Sequence, residues 1–97
     1  MADKIRVHVF LSGRVQGVAY RYFAEKWANS LSVTGWVRNL YDGRVEVLAE
    51  GDRQDIDGFL ERLREGPRLA RVDGFEMEWG EFTGEFAAFD VTFSRGC

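Results

Sequence analysis

The chain has 97 residues, of which 45% are hydrophobic and 30% charged, and a formal net charge of −3. That length allows one domain with one modest core, burying roughly 60–65% of the surface the unfolded chain exposes, and the apolar share excludes a disordered chain. One cysteine, Cys97, and one histidine, His8, exclude a disulfide scaffold, a cysteine-rich zinc site and an iron–sulfur centre, and they argue against a histidine triad.

No apolar run approaches the roughly 20 residues of a membrane span, and Met1 to Lys4 lack the apolar core of a secretory signal. The expectation is a single domain over 1–97, a cytoplasmic monomer with no cofactor, no metal, no membrane and no nucleic-acid partner. No repeat or linker interrupts the chain.

Residues 4–12 alternate. Ile5, Val7, Val9 and Leu11 share one face, and Arg6, His8, Phe10 and Ser12 share the other, so the segment reads as a strand buried on one side. Residues 13–20, with two glycines, read as a loop. From Tyr20 the apolar spacing changes to steps of three and four through Phe23, Ala24, Trp27, Ala28 and Leu31, an amphipathic helix. Residues 33–39 read as a second strand and 44–50 as a third, joined by a hairpin at Asp42-Gly43. Asp52 is placed to cap a second helix with the stripe Ile56, Phe59, Leu60 and Leu63, stopped by Gly66-Pro67. A fourth strand lies within 69–79, and a fifth spans 86–94 with Ala87, Phe89, Val91 and Phe93 on one face. The order is β-α-β-β-α-β plus a C-terminal strand. It predicts an α+β ferredoxin-like sandwich, an antiparallel sheet with both helices on one face.

The loop before the first helix carries the most chemical information. A helix start leaves about four N–H groups unpaired, and a Ser, Thr, Asp or Asn usually covers some of them. None occurs from Gly13 through Lys26. Instead Arg21 stands at the positive end of the helix dipole, which costs about 0.3–1 kcal/mol uncompensated. An anion of phosphate size would accept the free N–H groups, oppose the dipole and pair with Arg21, while Gly13 and Gly17 let the backbone fold around it. Residues 14–21 therefore read as a phosphate cradle. The plainer alternative is a solvated arginine on a water-capped helix.

The run Leu11-Ser12-Gly13-Arg14-Val15-Gln16-Gly17-Val18-Ala19-Tyr20-Arg21 resembles the first motif of the acylphosphatases. Gly35-Trp36-Val37-Arg38-Asn39, with Asp42-Gly43 and Val45-Glu46 following, resembles their second. The resemblance covers essentially the whole chain; Tyr20 stands where phenylalanine is common. It implies metal-independent hydrolysis of acyl phosphates to a carboxylate and inorganic phosphate, on a ferredoxin-like fold. By the resemblance Arg21 is the phosphate-binding arginine and Asn39 orients the water. Val15, Gln16, Gly17, Val18, Ala19 and Tyr20 form the phosphate loop through their backbone N–H groups. Without the resemblance, Asn39 reads as a turn residue beside Asp42-Gly43.

These residues suit that chemistry. The leaving carboxylate has a conjugate acid of pKa about 4, so it departs without a general acid and needs no histidine. Phosphoryl transfer depends on positioning and charge stabilisation, and an arginine fork can hold two phosphate oxygens. An asparagine can orient water without repelling the phosphate.

Two other functions compete. One is a non-catalytic phosphate- or acyl-phosphate-binding accessory module; a free chain of this length favours the enzyme. The other is RNA binding through Phe10, Trp36, Phe86 and Phe93, but the ribonucleoprotein motif is absent and ordinary core packing is expected for these rings. Trp27 is expected in the core, Glu46 exposed, His8 on the open face, and Arg62, Arg64, Arg68 and Arg71 on a solvated surface.

Overall fold

The computed structural model describes residues 3–92. The elements run β1 (Lys4–Arg14), α1 (Tyr20–Ser30), β2 (Thr34–Asn39), β3 (Val45–Asp52), α2 (Arg53–Glu65), β4 (Arg71–Glu81) and β5 (Phe89–Val91). They form a five-stranded sheet in the order β4-β1-β3-β2-β5. The alternation of β1 turns Val7, Val9 and Leu11 to the helix-covered face of the sheet. They join Val45, Val47 and Ala49 of β3, Ala24 and Ala28 of α1, and Ile56, Phe59 and Leu63 of α2 in a core from which water is shut out. This is the expected ferredoxin-like arrangement. No described helix is long and apolar enough to cross a membrane.

The sheet is mixed, not wholly antiparallel. β1, β2, β3 and β4 pair antiparallel, but β5 lies parallel to β2. The reason is the route the chain takes. After β4 at one edge it crosses the open face at the end where β2 begins, and Gly35 N–H bonds Ala88 O (3.0 Å) as it arrives. β5 therefore starts beside the start of β2 and must run with it. It also starts later than expected, at Phe89, with Ala87 preceding it; the expected Phe93 lies outside the described residues.

Several local expectations need correction. Asp52 sits at the N-cap of α2 but caps nothing. Its carboxylate bonds Lys4 Nζ (2.9 Å), while the Arg53 N–H goes to Asp3 O (2.7 Å). Gly13 belongs to a bulge in the β1–β4 ladder, not to a cradle; an added Cβ would meet Arg71 O at 2.3 Å. Phe10, Trp36 and Phe86 are not core. They lie half-buried on the open face, roofed by Arg44, Arg38 and Arg6 at 4.8, 4.6 and 5.6 Å from the ring centres. Trp27 sits at the rim of the core under Arg62, and Arg64 lies on Phe75, so both arginines cover rings.

Glu46 is the largest departure. It is buried, with His8 Nε2 2.6 Å from one oxygen and Arg38 Nε donating to the other at 2.7 Å. Its neighbour on the same face, Glu50, is fully buried and accepts from Arg6 Nε (2.7 Å), from the N–H and hydroxyl of Thr83, and from the Gly84 N–H. Burial pushes the Glu50 carboxyl up, but these donors together outweigh it and hold the group below its ordinary value.

Candidate active site

β1 and β2 both pair antiparallel with β3, so they point the same way and end at the same edge of the sheet. The loop leaving β1 and the last residue of β2 meet there. Val15 and Val18, both buried, anchor the loop to the core. Between and after them the backbone turns left-handed twice, at Gly17 (φ 73°) and Ala19 (φ 61°, ψ 29°). Such alternation turns successive N–H groups toward one side and makes an anion nest. Ala19 holds this conformation despite its Cβ, at a cost of about 1–2 kcal/mol. At Gly17 the space beside Cα is open, so conformation and not crowding selects glycine.

Ala19 is also the N-cap of α1. It supplies no side-chain bond, and the first turn holds no acidic residue. The first intrahelical bond runs from Phe23 N–H to Ala19 O. The N–H groups of Tyr20, Arg21 and Tyr22 thus have no acceptor within the helix.

A cavity of about 210 Å³ opens at this helix start. It is lined by Val15, Gly17, Ala19 and Tyr20 of the loop and helix start, by Arg21 and Tyr22, and by Asn39. Among the described residues, Arg21 is the only charged one in that lining. Its guanidinium is half-buried and donates to Thr92 O (3.1 Å), a tether from the end of β5. Asn39 is half-buried at the end of β2 and makes no side-chain hydrogen bond among the described residues.

Of the residues picked out from sequence, the fold brings Val15, Gly17, Ala19, Tyr20, Arg21 and Asn39 to one cavity. Gln16 and Val18 do not line it. The Gln16 side chain instead donates to Leu40 O (2.7 Å) and Arg44 O (2.9 Å), tying the loop to the β2–β3 turn that carries Asn39. That turn is itself closed by Asp42, which accepts from the Arg44 N–H (3.0 Å) and Nε (2.8 Å). The Arg44 N–H first, and its side chain after it, hold the Asp42 carboxyl below its ordinary value despite some desolvation.

The Tyr20 ring is buried and its hydroxyl donates to Leu63 O, a carbonyl in the last turn of α2. Burial pushes its ionisation up. The hydroxyl thus caps a second helix end, a role phenylalanine could not fill. Tyr22 was missed in the sequence reading. It follows Arg21 directly and lies off the apolar stripe, and that combination was the available signal.

The model of the family described as "Acylphosphatase" matches residues 7–91. The chain belongs to the acylphosphatase family. An acylphosphatase of Methylococcus capsulatus is 55% identical over 86 residues, 89% of this chain and 94% of that one. The structure of an acylphosphatase from Coxiella burnetii superposes with a TM-score of 0.87 at 39% identity, covering 93% of this chain and 94% of that one. A full-length HypF structure in its phosphate- and nucleotide-bound form also superposes, with a TM-score of 0.89 at 26% identity. It covers 99% of this chain but 13% of that one. The protein is an acylphosphatase, taking acyl phosphates as substrate and giving phosphate as product.

Proposed function

We propose that hydrolysis takes place in the cavity at the start of α1, with Arg21 and the loop amides holding the phosphate and Asn39 placing the water. The supporting observation is the composition of that lining among the described residues: free helix-start N–H groups, one arginine, an asparagine without a side-chain partner and no carboxylate. The Arg21 fork binds two phosphate oxygens, and the N–H groups from Val15 to Tyr20 take the charge that grows on the others. The Asn39 amide oxygen accepts from a water aligned opposite the leaving oxygen. The water oxygen attacks phosphorus, the bond to the acyl oxygen breaks, and the carboxylate leaves with the electron pair. A proton passes from the water to bulk solvent. The carboxylate departs unprotonated, so neither a general acid nor a metal is required.

The test is steady-state hydrolysis of benzoyl phosphate in excess EDTA, with inorganic phosphate as competitor. Undiminished turnover with competitive inhibition by phosphate is expected. Loss of turnover on chelation, or phosphate that fails to compete, would contradict the site.

A second reading is favoured by the HypF likeness, in which the same fold makes up 13% of a longer chain: a domain that binds phosphate or an acyl phosphate without turnover. Tight phosphate binding by a folded protein that does not hydrolyse benzoyl phosphate would support it. One family model spanning residues 7–91 supports the reading of a single domain over 1–97, which we take as a cytoplasmic monomer; sedimentation at micromolar concentration tests the monomer.

A further inference from the structure

A second cavity, of about 400 Å³, adjoins the first. It shares Arg21 and Tyr22 with it and is otherwise lined by Glu25, Asp90, Val91 and Thr92. Asn39 lines only the first cavity. Among the described residues the two therefore differ in charge: the first holds a lone arginine, and the second adds two carboxylates. Glu25 stands one helical turn after Arg21 and Tyr22 on α1, and Asp90 lies in β5. Neither forms an ion pair among the described residues.

In-line attack sends the leaving group away from the water. With the water at Asn39, the acyl group leaves from the side of the phosphate turned away from that residue, and the second cavity is the neighbouring space that meets the first at Arg21 and Tyr22 and that Asn39 does not line. Tyr22, exposed, offers a ring and Val91 an apolar surface there. We infer that this second cavity receives the acyl group, and that Glu25 and Asp90 select acyl phosphates whose acyl group is neutral or cationic over those carrying a second anion. The inference rests on the placement of phosphate and water given above. A second carboxylate or phosphate on the acyl group would face Glu25 and Asp90 at close range, and like charges there weaken binding. A benzoyl or short alkanoyl group meets no such opposition. Arg21 does not rescue the anionic tail, because the transferred phosphate already engages it.

The experiment compares benzoyl phosphate with succinyl phosphate, which carries one extra carboxylate, in the wild-type protein and in the Glu25→Gln/Asp90→Asn double variant. The readout is the ratio of kcat/KM for succinyl phosphate to that for benzoyl phosphate. Neutralising the pair should raise this ratio about fivefold, the size two partly screened like-charge pairs can supply. In the wild type the ratio should climb with salt, and in the double variant it should not. A ratio that neither variant nor salt moves overturns the acyl subsite while leaving the phosphate site standing. Absence of hydrolysis of both substrates by the wild type overturns hydrolysis at the first cavity, and the subsite with it. Both substitutions are isosteric and neither side lies in the core, so the variant keeps the fold.

Discussion

The two ends of the molecule's charge distribution obey opposite rules. On the open face of the sheet, carboxylates are buried and, among the described residues, every buried polar side-chain atom is matched: Glu50 by Arg6, Thr83 and Gly84, and Glu46 by His8 and Arg38. At the start of α1 the reverse holds. Among the described residues the helix has no side-chain cap, the cavity contains one arginine and no carboxylate, and Asn39 has no partner. Charges matched within the protein support the fold, because removing one partner strands the other in a poor solvent. Donors left unmatched but open to solvent do little for stability and are free for a ligand. The contrast separates residues that build the scaffold from residues that do chemistry, and substitutions at the two ends should separate the same way.

The largest effect is expected at the cavity. Arg21→Ala should lower kcat/KM for benzoyl phosphate by about 10³, as removal of a principal charge-stabilising group does, with the urea midpoint close to that of the wild type. Steady-state kinetics and a urea titration check both halves. A large fall in stability would show Arg21 to be a scaffold residue like Glu50 and break the comparison.

Glu50→Gln should do the opposite. It should cost about 2 kcal/mol at neutral pH, the worth of charge-assisted bonds to a buried carboxylate with a half-exposed partner, and leave kcat nearly intact. The pH dependence has a definite sign. The carboxyl is held below its ordinary value of 4.5 in the folded state. Its contribution is therefore fully present above pH 4.5 and is lost as pH falls through the lower, folded value. Urea midpoints should thus fall less steeply with acidification below pH 4.5 in the variant than in the wild type.

The smallest effect is expected at the buried ring beneath the start of α1. Tyr20→Phe restores the ring common in the family but removes the donor to Leu63 O. It should cost about 1 kcal/mol, read as a shift in thermal midpoint, with kcat/KM changed less than about twofold.

Much of this was legible in the sequence because it is local. The alternation of Ile5, Val7, Val9 and Leu11 defined a strand face, and the missing cap before Arg21 marked an unusual helix start. Asp42-Gly43 marked a hairpin turn, which the structure shows closed by the Arg44 N–H donating to Asp42. What escaped depends on distant partners. Glu46 and Glu50 alternate with valines and alanine as exposed strand residues do. They are buried because the arginine-roofed rings and the segment after β4 cover that face, and Thr83 is 33 residues from Glu50. The direction of β5 depends on where the chain crosses the sheet. The Gln16 side chain was read only as part of a backbone loop, because its acceptors, Leu40 and Arg44, lie 24 and 28 residues on.

The central claim is that holding the phosphate and placing the water are separate tasks at one cavity. Asn39→Ala tests it most directly, by kcat for benzoyl phosphate together with the inhibition constant for inorganic phosphate on the same preparation. The account predicts that kcat falls about 100-fold, the value of lost positioning, while phosphate inhibits within about twofold of its wild-type strength. Turnover near the wild-type rate, or phosphate binding that weakens in step with kcat, would contradict it.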